Sequence, residues 1–180
     1  MALTPTYTIV NTAVVPQAII DLLTGVANEA FNLWGAALAG DANVSVRIEI
    51  TTATPSGRAD GGWGNGTNLG TVNGHSLAIG APAYELMTRT NVAGGESDIT
   101  IRFDPTYLQN ELYLDPTPQT RTDTPTDKTD GLSVLLHEIG HALGFTGYYD
   151  EASDSFSGNS TTPFDQRLSI SGGVVSFNGP

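Results

Sequence analysis

Leu132-Ser133-Val134-Leu135-Leu136-His137-Glu138-Ile139-Gly140-His141-Ala142-Leu143-Gly144-Phe145 is the stretch that decides how this chain is read. Apolar residues at Leu132, Leu135, Ile139, Ala142 and Leu143 fall on one side of a helix of 3.6 residues per turn, so Leu132 to Leu143 is expected to be an amphipathic helix packed on a core. His137 and His141 lie one turn apart and project from the opposite face, at a spacing that lets two imidazoles share a zinc ion. Glu138 lies about 100° round the helix from His137, too far round to join that pair but near enough to reach a water beside it. A carboxylate so placed can take the proton from a metal-polarised water as it attacks a carbonyl. His137 and His141 are therefore the expected metal ligands and Glu138 the expected general base.

Outward from this helix, the composition limits the alternatives. The 180 residues are the size of one domain, and 39% of them are hydrophobic, enough for a core. There is no cysteine, which excludes disulfides, thiol catalysis and Cys-ligated metal. Nineteen acidic residues against seven basic ones give a net charge of −12, which repels nucleic acid and anionic lipid. No apolar run approaches membrane-spanning length, and the first residues lack the pattern of a signal peptide. The expected partner is a peptide or protein substrate, not nucleic acid or membrane, and a monomer is expected. Richness in Gly, Thr and Asn without cysteine suits a secreted or extracellular bacterial protein.

Upstream, apolar residues from Ile19 to Leu38 recur at helical spacing behind Pro16, with Gly40 just past the end, which predicts a long scaffold helix. Tyr7 to Asn11 is β-rich. Val44, Val46, Ile48 and Ile50 alternate with polar residues as in a strand with one buried face, and Ile99, Ile101 and Phe103 do the same. Thr54 to Gly74 is Gly-rich, has no apolar period and contains neither phosphate-binding glycine motif, so it reads as a long loop. Ser76 to Ile79 reads as a short strand and Pro82 to Arg89 as a helical turn or two. Leu112 to Leu114 is expected to be a brief exposed edge strand near the metal, Asp115 to Lys128 a loop, and Gly173 to Phe177 a terminal strand.

His137-Glu138-Ile139-Gly140-His141-Ala142-Leu143-Gly144-Phe145 resembles the active-site helix of the metzincin zinc peptidases, whose motif runs HExxHxxGxxH or HExxHxxGxxD. Gly144 matches the glycine at which that helix ends. Ser97-Asp98-Ile99-Thr100-Ile101-Arg102-Phe103-Asp104 is similar to the strand that matrixin-type members carry before the helix, and the leishmanolysin-like branch shares the HALGF run. The family's third ligand would fall at Gly147, which offers no side chain, and Met1 and Met87 both precede the motif, so its methionine turn is absent. A cysteine-free bacterial relative of the leishmanolysin-like or matrixin-like branch is what the resemblance implies.

The expected fold is α+β: a twisted mixed sheet packed on two long helices, zincin-like, with HExxH on the second. Residues 1–180 are expected to form a single catalytic domain lacking a C-terminal subdomain. The expected function is that of a zinc endopeptidase. A non-catalytic zinc-binding or adhesion domain on a peptidase scaffold is the alternative, and a metal hydrolase of non-peptide substrates is a third reading. The third zinc ligand is expected to be a histidine beyond Pro180, with Asp150 and His75 as the substitutes inside the chain. The acidic run Asp150 to Asp154 could hold Ca²⁺, but it lacks DxDxDG spacing and reads as a solvated loop.

Overall fold

The computed structural model describes residues 3–92, 94–95, 97–120, 123–150, 153, 155–156, 158–171 and 174–179. Strand β1 (Leu3–Asn11) leads into helix α1 (Gln17–Ala37), which returns the chain to strand β2 (Ala42–Ile50), parallel to β1 over its whole length. Parallel neighbours need such a crossover. Gly40, at φ 115°, makes the turn after α1, and a side chain there would meet the Leu86 carbonyl at 2.6 Å.

Strands β3 (Ala59–Trp63), β4 (Gly66–Val72) and β5 (His75–Gly80) follow, then helix α2 (Ala81–Thr88) and strand β6 (Ile99–Phe103). The main sheet has the order β1-β2-β6-β3, with β6 parallel to β2 and β3 antiparallel to β6 at the edge. Helix α3 (Pro105–Asn110), the short strands β7 (Leu112–Tyr113) and β8 (Thr129–Asp130), and helix α4 (Gly131–Ala142) complete the part that carries the HExxH motif. Beyond it lie the two-residue strands β9 (Tyr149–Asp150), β10 (Ser155–Phe156) and β11 (Ser160–Thr161), then a 3₁₀ turn at Asp165–Arg167. The described chain closes with the antiparallel pair β12 (Leu168–Ser171) and β13 (Val174–Phe177).

Alternation in β2 and β6 turns Val44, Val46, Ile48, Ile50, Ile99, Ile101 and Phe103 to one face. There they join Leu23, Val26 and Phe31 of α1 and Leu135 and Ile139 of α4 in one core. Each such side chain contributes about 1.5–3 kcal/mol by leaving water. The opposite face of the sheet carries a charge ladder: Arg47 and Arg102 both reach the Glu49 carboxylate, at 2.6 and 2.9 Å, and Arg102 reaches Asp60 at 3.0 Å. The two guanidiniums hold the Glu49 carboxyl below its ordinary range.

The molecule is mixed α+β, but it differs from the sequence reading in three respects. Only α1, with 21 residues, is long, whereas α4 has 12, because the αL turn at Gly144 stops it. The Gly-rich stretch taken for a loop supplies β3 and β4, and its order comes from pairing with β6 and β5, which no local period reveals. Leu112 to Leu114 is not an edge of the main sheet. Its first two residues pair in parallel with β8, at the start of α4, and Leu112 and Leu114 are buried.

At the far end of the sheet Glu85 of α2 is buried and accepts the Val92 N–H at 3.1 Å. Burial first, and the Asp98 charge second, push its carboxyl above the ordinary 4.5, against the pull of the Val92 N–H. A carboxyl raised by folding costs stability when ionised, and that cost disappears below its unfolded value. Glu85→Gln, which keeps an acceptor for Val92, is therefore expected to be more stable than the parent at pH 7. The advantage should shrink to nothing as the pH falls below about 4.5. Thermal unfolding of both proteins across that pH range checks this, and an advantage that grows towards acid would contradict it.

Candidate metal centre

The helix that carries the motif is fixed at both ends. Asp130 caps it, its carboxylate accepting from Leu132 N at 3.2 Å and from Ser133 N and Oγ at 3.0 and 2.6 Å. At the other end Gly144 sits at φ 102°, Gly144 N–H donates to the His141 carbonyl at 3.2 Å, and Phe145 N–H donates to the Gly140 carbonyl at 3.0 Å. These are the two bonds of a Schellman turn. The turn brings the Phe145 carbonyl back to His141 Nδ1, 3.0 Å away. Trp34 of α1 pins the middle of the helix, donating its indole N–H to the Leu136 carbonyl at 3.1 Å, and its ring stacks on Phe145. Gly140 leaves room for that indole: a Cβ there would lie 3.2 Å from Trp34 Cζ2.

The two imidazoles converge. Nε2 of His137 and Nε2 of His141 are 2.9 Å apart, with the rings nearly perpendicular. With Nδ1 of His141 turned to the Phe145 carbonyl, its Nε2 is the ring nitrogen that faces His137 Nε2. At the zinc–imidazole distance of about 2.0–2.1 Å, two nitrogens on one tetrahedral ion lie about 3.3 Å apart, so a small opening of the 2.9 Å gap would admit a divalent ion. A backbone carbonyl on the second ring nitrogen, as Phe145 supplies to His141, is a usual outer partner of a metal-ligating histidine. Two imidazoles supply two of the four donors that zinc takes.

Glu138 is only 8% exposed, although it neighbours two histidines on a helix surface. The cause is β3, which lies across it. Asp104 N–H donates to the Arg58 carbonyl and Gly64 N–H to the Asp98 carbonyl. With a period of two, the even-numbered residues of β3 thus turn their backbone groups towards β6. Ala59, Gly61 and Trp63 turn theirs to the outer edge, and there Gly61 N–H meets the Glu138 carboxylate. A Cβ on Gly61 would come within 2.6 Å of Glu138 Cβ, so only glycine lets the strand approach this closely. Burial raises the Glu138 carboxyl above its ordinary range. The charges of His137 and His141 pull it down, Asp60 adds to the rise, and the Gly61 bond opposes it.

Two cavities flank the pair along β3. One of about 340 Å³ is lined by Ser56, Arg58, Ala59, Tyr107, Ser133, Val134, His137 and Glu138. The other, about 190 Å³, lies between Gly61, Gly62 and Trp63 on one side and His141, Thr146, Gly147 and Tyr148 on the other.

Among the described residues no third His, Cys, Asp or Glu joins His137 and His141 in a metal-binding group. Asp150, on β9, is exposed and accepts from Ser153 Oγ at 2.9 Å. His75, on β5, packs near Phe156 with its Nδ1 buried and unpartnered among the described residues. Neither is brought to the pair. Glu151, Ala152 and Asp154 of the proposed Ca²⁺ run lie outside the described residues.

The sequence reading missed Asp165. Its buried carboxylate accepts from Tyr148 N at 3.1 Å, Thr162 N at 2.8 Å and Thr162 Oγ1 at 3.0 Å, which ties the exit loop of α4 to the 3₁₀ turn. Its Oδ1 fills the space that a side chain at Gly147 would need, so the position where the resemblance would put a ligand is sterically closed. No local pattern around Asp165 announces this, because all its partners but Thr162 are distant in sequence. No family model, curated protein or solved structure matches the chain.

Proposed function

We propose that this chain is a zinc-dependent endopeptidase domain of zincin-like architecture, in which His137 and His141 hold the metal and Glu138 is the general base. The observation that carries this reading is the convergence of two Nε2 atoms 2.9 Å apart, one ring oriented by the Phe145 carbonyl, beside a carboxylate that burial has made a stronger base. Zinc bound there would supply the Lewis acidity that lowers the pKa of a water and polarises a carbonyl. Glu138 would take the proton from that water and pass it to the leaving amine, and a raised carboxyl pKa suits both halves of the task.

The substrate backbone would lie along the outer edge of β3. That strand pairs with β6 on one side only, and its odd residues aim their backbone groups over the site. This strand takes the place beside the metal that was expected of Leu112 to Leu114. Secretion by a bacterium is proposed from composition alone. Among the described residues no helix is long and apolar enough to cross a membrane.

A non-catalytic zinc-binding domain is the second reading, favoured by the absence of a third protein ligand among the described residues. Casein and a mixed peptide library, with ester and amide substrates beside them, decide between the readings. The zinc-loaded chain is expected to cleave peptide bonds, to lose that activity in 1,10-phenanthroline and to regain it with added zinc. Stoichiometric zinc binding without cleavage would favour the second reading, and cleavage that survives chelation would refute both.

A further inference from the structure

Arg58 stands at the cavity beside Glu138, and among the described residues no carboxylate claims it. Arg47 and Arg102 are committed to Glu49 and Asp60, and Lys128 donates to the Asn110 carbonyl. Among the described residues the Arg58 guanidinium has no ion-pair partner, in a chain with 19 acidic residues to 7 basic ones. Asp104 is close in the chain, but its carboxylate caps α3, accepting from Thr106 N and Tyr107 N at 2.8 and 3.0 Å. The Arg58 guanidinium lies over the Tyr107 ring, 5.8 Å from its centroid, and the Arg58 carbonyl accepts from Asp104 N at 2.7 Å. The backbone bond fixes the main chain of Arg58 and the ring contact places its guanidinium beside Tyr107 at the cavity wall without neutralising it.

The rest of that wall is apolar where it matters: Ala59, Val134 and the Tyr107 ring. A side chain entering here would pass its methylenes over these surfaces and bring its end to Arg58. A neutral end leaves the guanidinium as it was, whereas a carboxylate can take a bidentate, charge-assisted pair of hydrogen bonds from it. A substrate carboxylate would also stand near Glu138, so without Arg58 the site would repel it.

We infer that this cavity selects a substrate residue bearing a carboxylate next to the scissile bond, with Arg58 as the residue that recognises it. The inference rests on the peptidase reading above. The carboxylate has two sources, an acidic side chain within a peptide or the free C-terminus of a short product segment, and the test separates them.

The test uses zinc-loaded protein and internally quenched peptides of one sequence with both ends blocked. Glu, Gln, Leu or Lys is placed in turn at each position flanking the cleaved bond. A second set ends one residue beyond the bond in a free carboxylate or an amide. At one flanking position, or for the free terminus over the amide, kcat/KM is expected to favour the carboxylate by about tenfold. The preference should weaken with salt. In Arg58→Gln that ratio should fall to about one, while Arg58→Lys retains part of it. Thermal unfolding accompanies each variant, and because the preference is a ratio within one protein, a small loss of folded fraction does not alter it. If the peptides are cleaved with no carboxylate preference, or if Arg58→Gln keeps the preference, the inference fails and the peptidase reading stands. If no peptide in either set is cleaved, the peptidase reading and the inference fall together.

Discussion

Glu138→Ala is expected to bind zinc as the parent does and to lose hydrolysis by roughly 10²–10⁴-fold in kcat. The carboxylate does not converge with the two Nε2 atoms. It bonds to the Gly61 amide of β3, and among the described residues it forms no metal-binding group with the two histidines. Since burial makes its ionised form costly in the metal-free chain, the substitution should not weaken the metal-free fold near neutral pH. Zinc content, kcat and the unfolding midpoint are measured together, with His137→Ala as the reference for a lost ligand. A Glu138→Ala protein that loses zinc as His137→Ala does would make Glu138 a ligand, and one that keeps most of its kcat would leave the reaction without this base.

The second large effect is expected at Gly61, a position with no side chain to offer the reaction. A Cβ there would sit 2.6 Å from Glu138 Cβ and 2.9 Å from the Glu138 carbonyl oxygen. Neither can yield, because Glu138 lies on a helix whose far side is core. Gly61→Val should therefore force β3 away from α4, at a cost of about 1–3 kcal/mol for overpacking, or roughly 3–10 °C in Tm. Activity should fall much further than the folded fraction, because β3 carries both the cover of the base and the proposed substrate edge. Gly62 is the control for stability. A Cβ there meets nothing within 4 Å, and Gly62→Ala should melt with the parent. If Gly61→Val melts with it too and retains its activity, β3 is not seated on Glu138.

Much of this arrangement was readable before any coordinates, and the parts that were not share one physical character. The i, i+4 histidines, the apolar side of α4, the long α1 and the alternation in β2 and β6 are all periodic, and period is what a single sequence displays. The edge strand was missed because its centre reads Ala59-Asp60-Gly61-Gly62-Trp63. Two glycines remove the apolar beats that mark a strand, yet those glycines are there for a tertiary reason, the close approach of Gly61 to Glu138. Leu112 and Leu114 misled in the opposite direction: expected on an exposed edge, they are buried, with Leu112 in a short bridge beside α4. Asp165 was invisible because a buried carboxylate that takes its donors from Tyr148 and Thr162 is defined by where the chain folds back.

Strand β3 is paired on one side only, and two of its five residues are glycines, which surrender the most backbone freedom when fixed. Segments of this kind open more cheaply than the core they border. Were the strand to lift, Gly61 would leave the Glu138 carboxyl and solvent would reach it, so the proton affinity of that carboxyl is tied to the order of the strand. On the proposed reading, a peptide that pairs with the outer edge would act as a latch as well as a substrate: by giving β3 its second neighbour, it would keep the Glu138 carboxyl dry for as long as it stays bound.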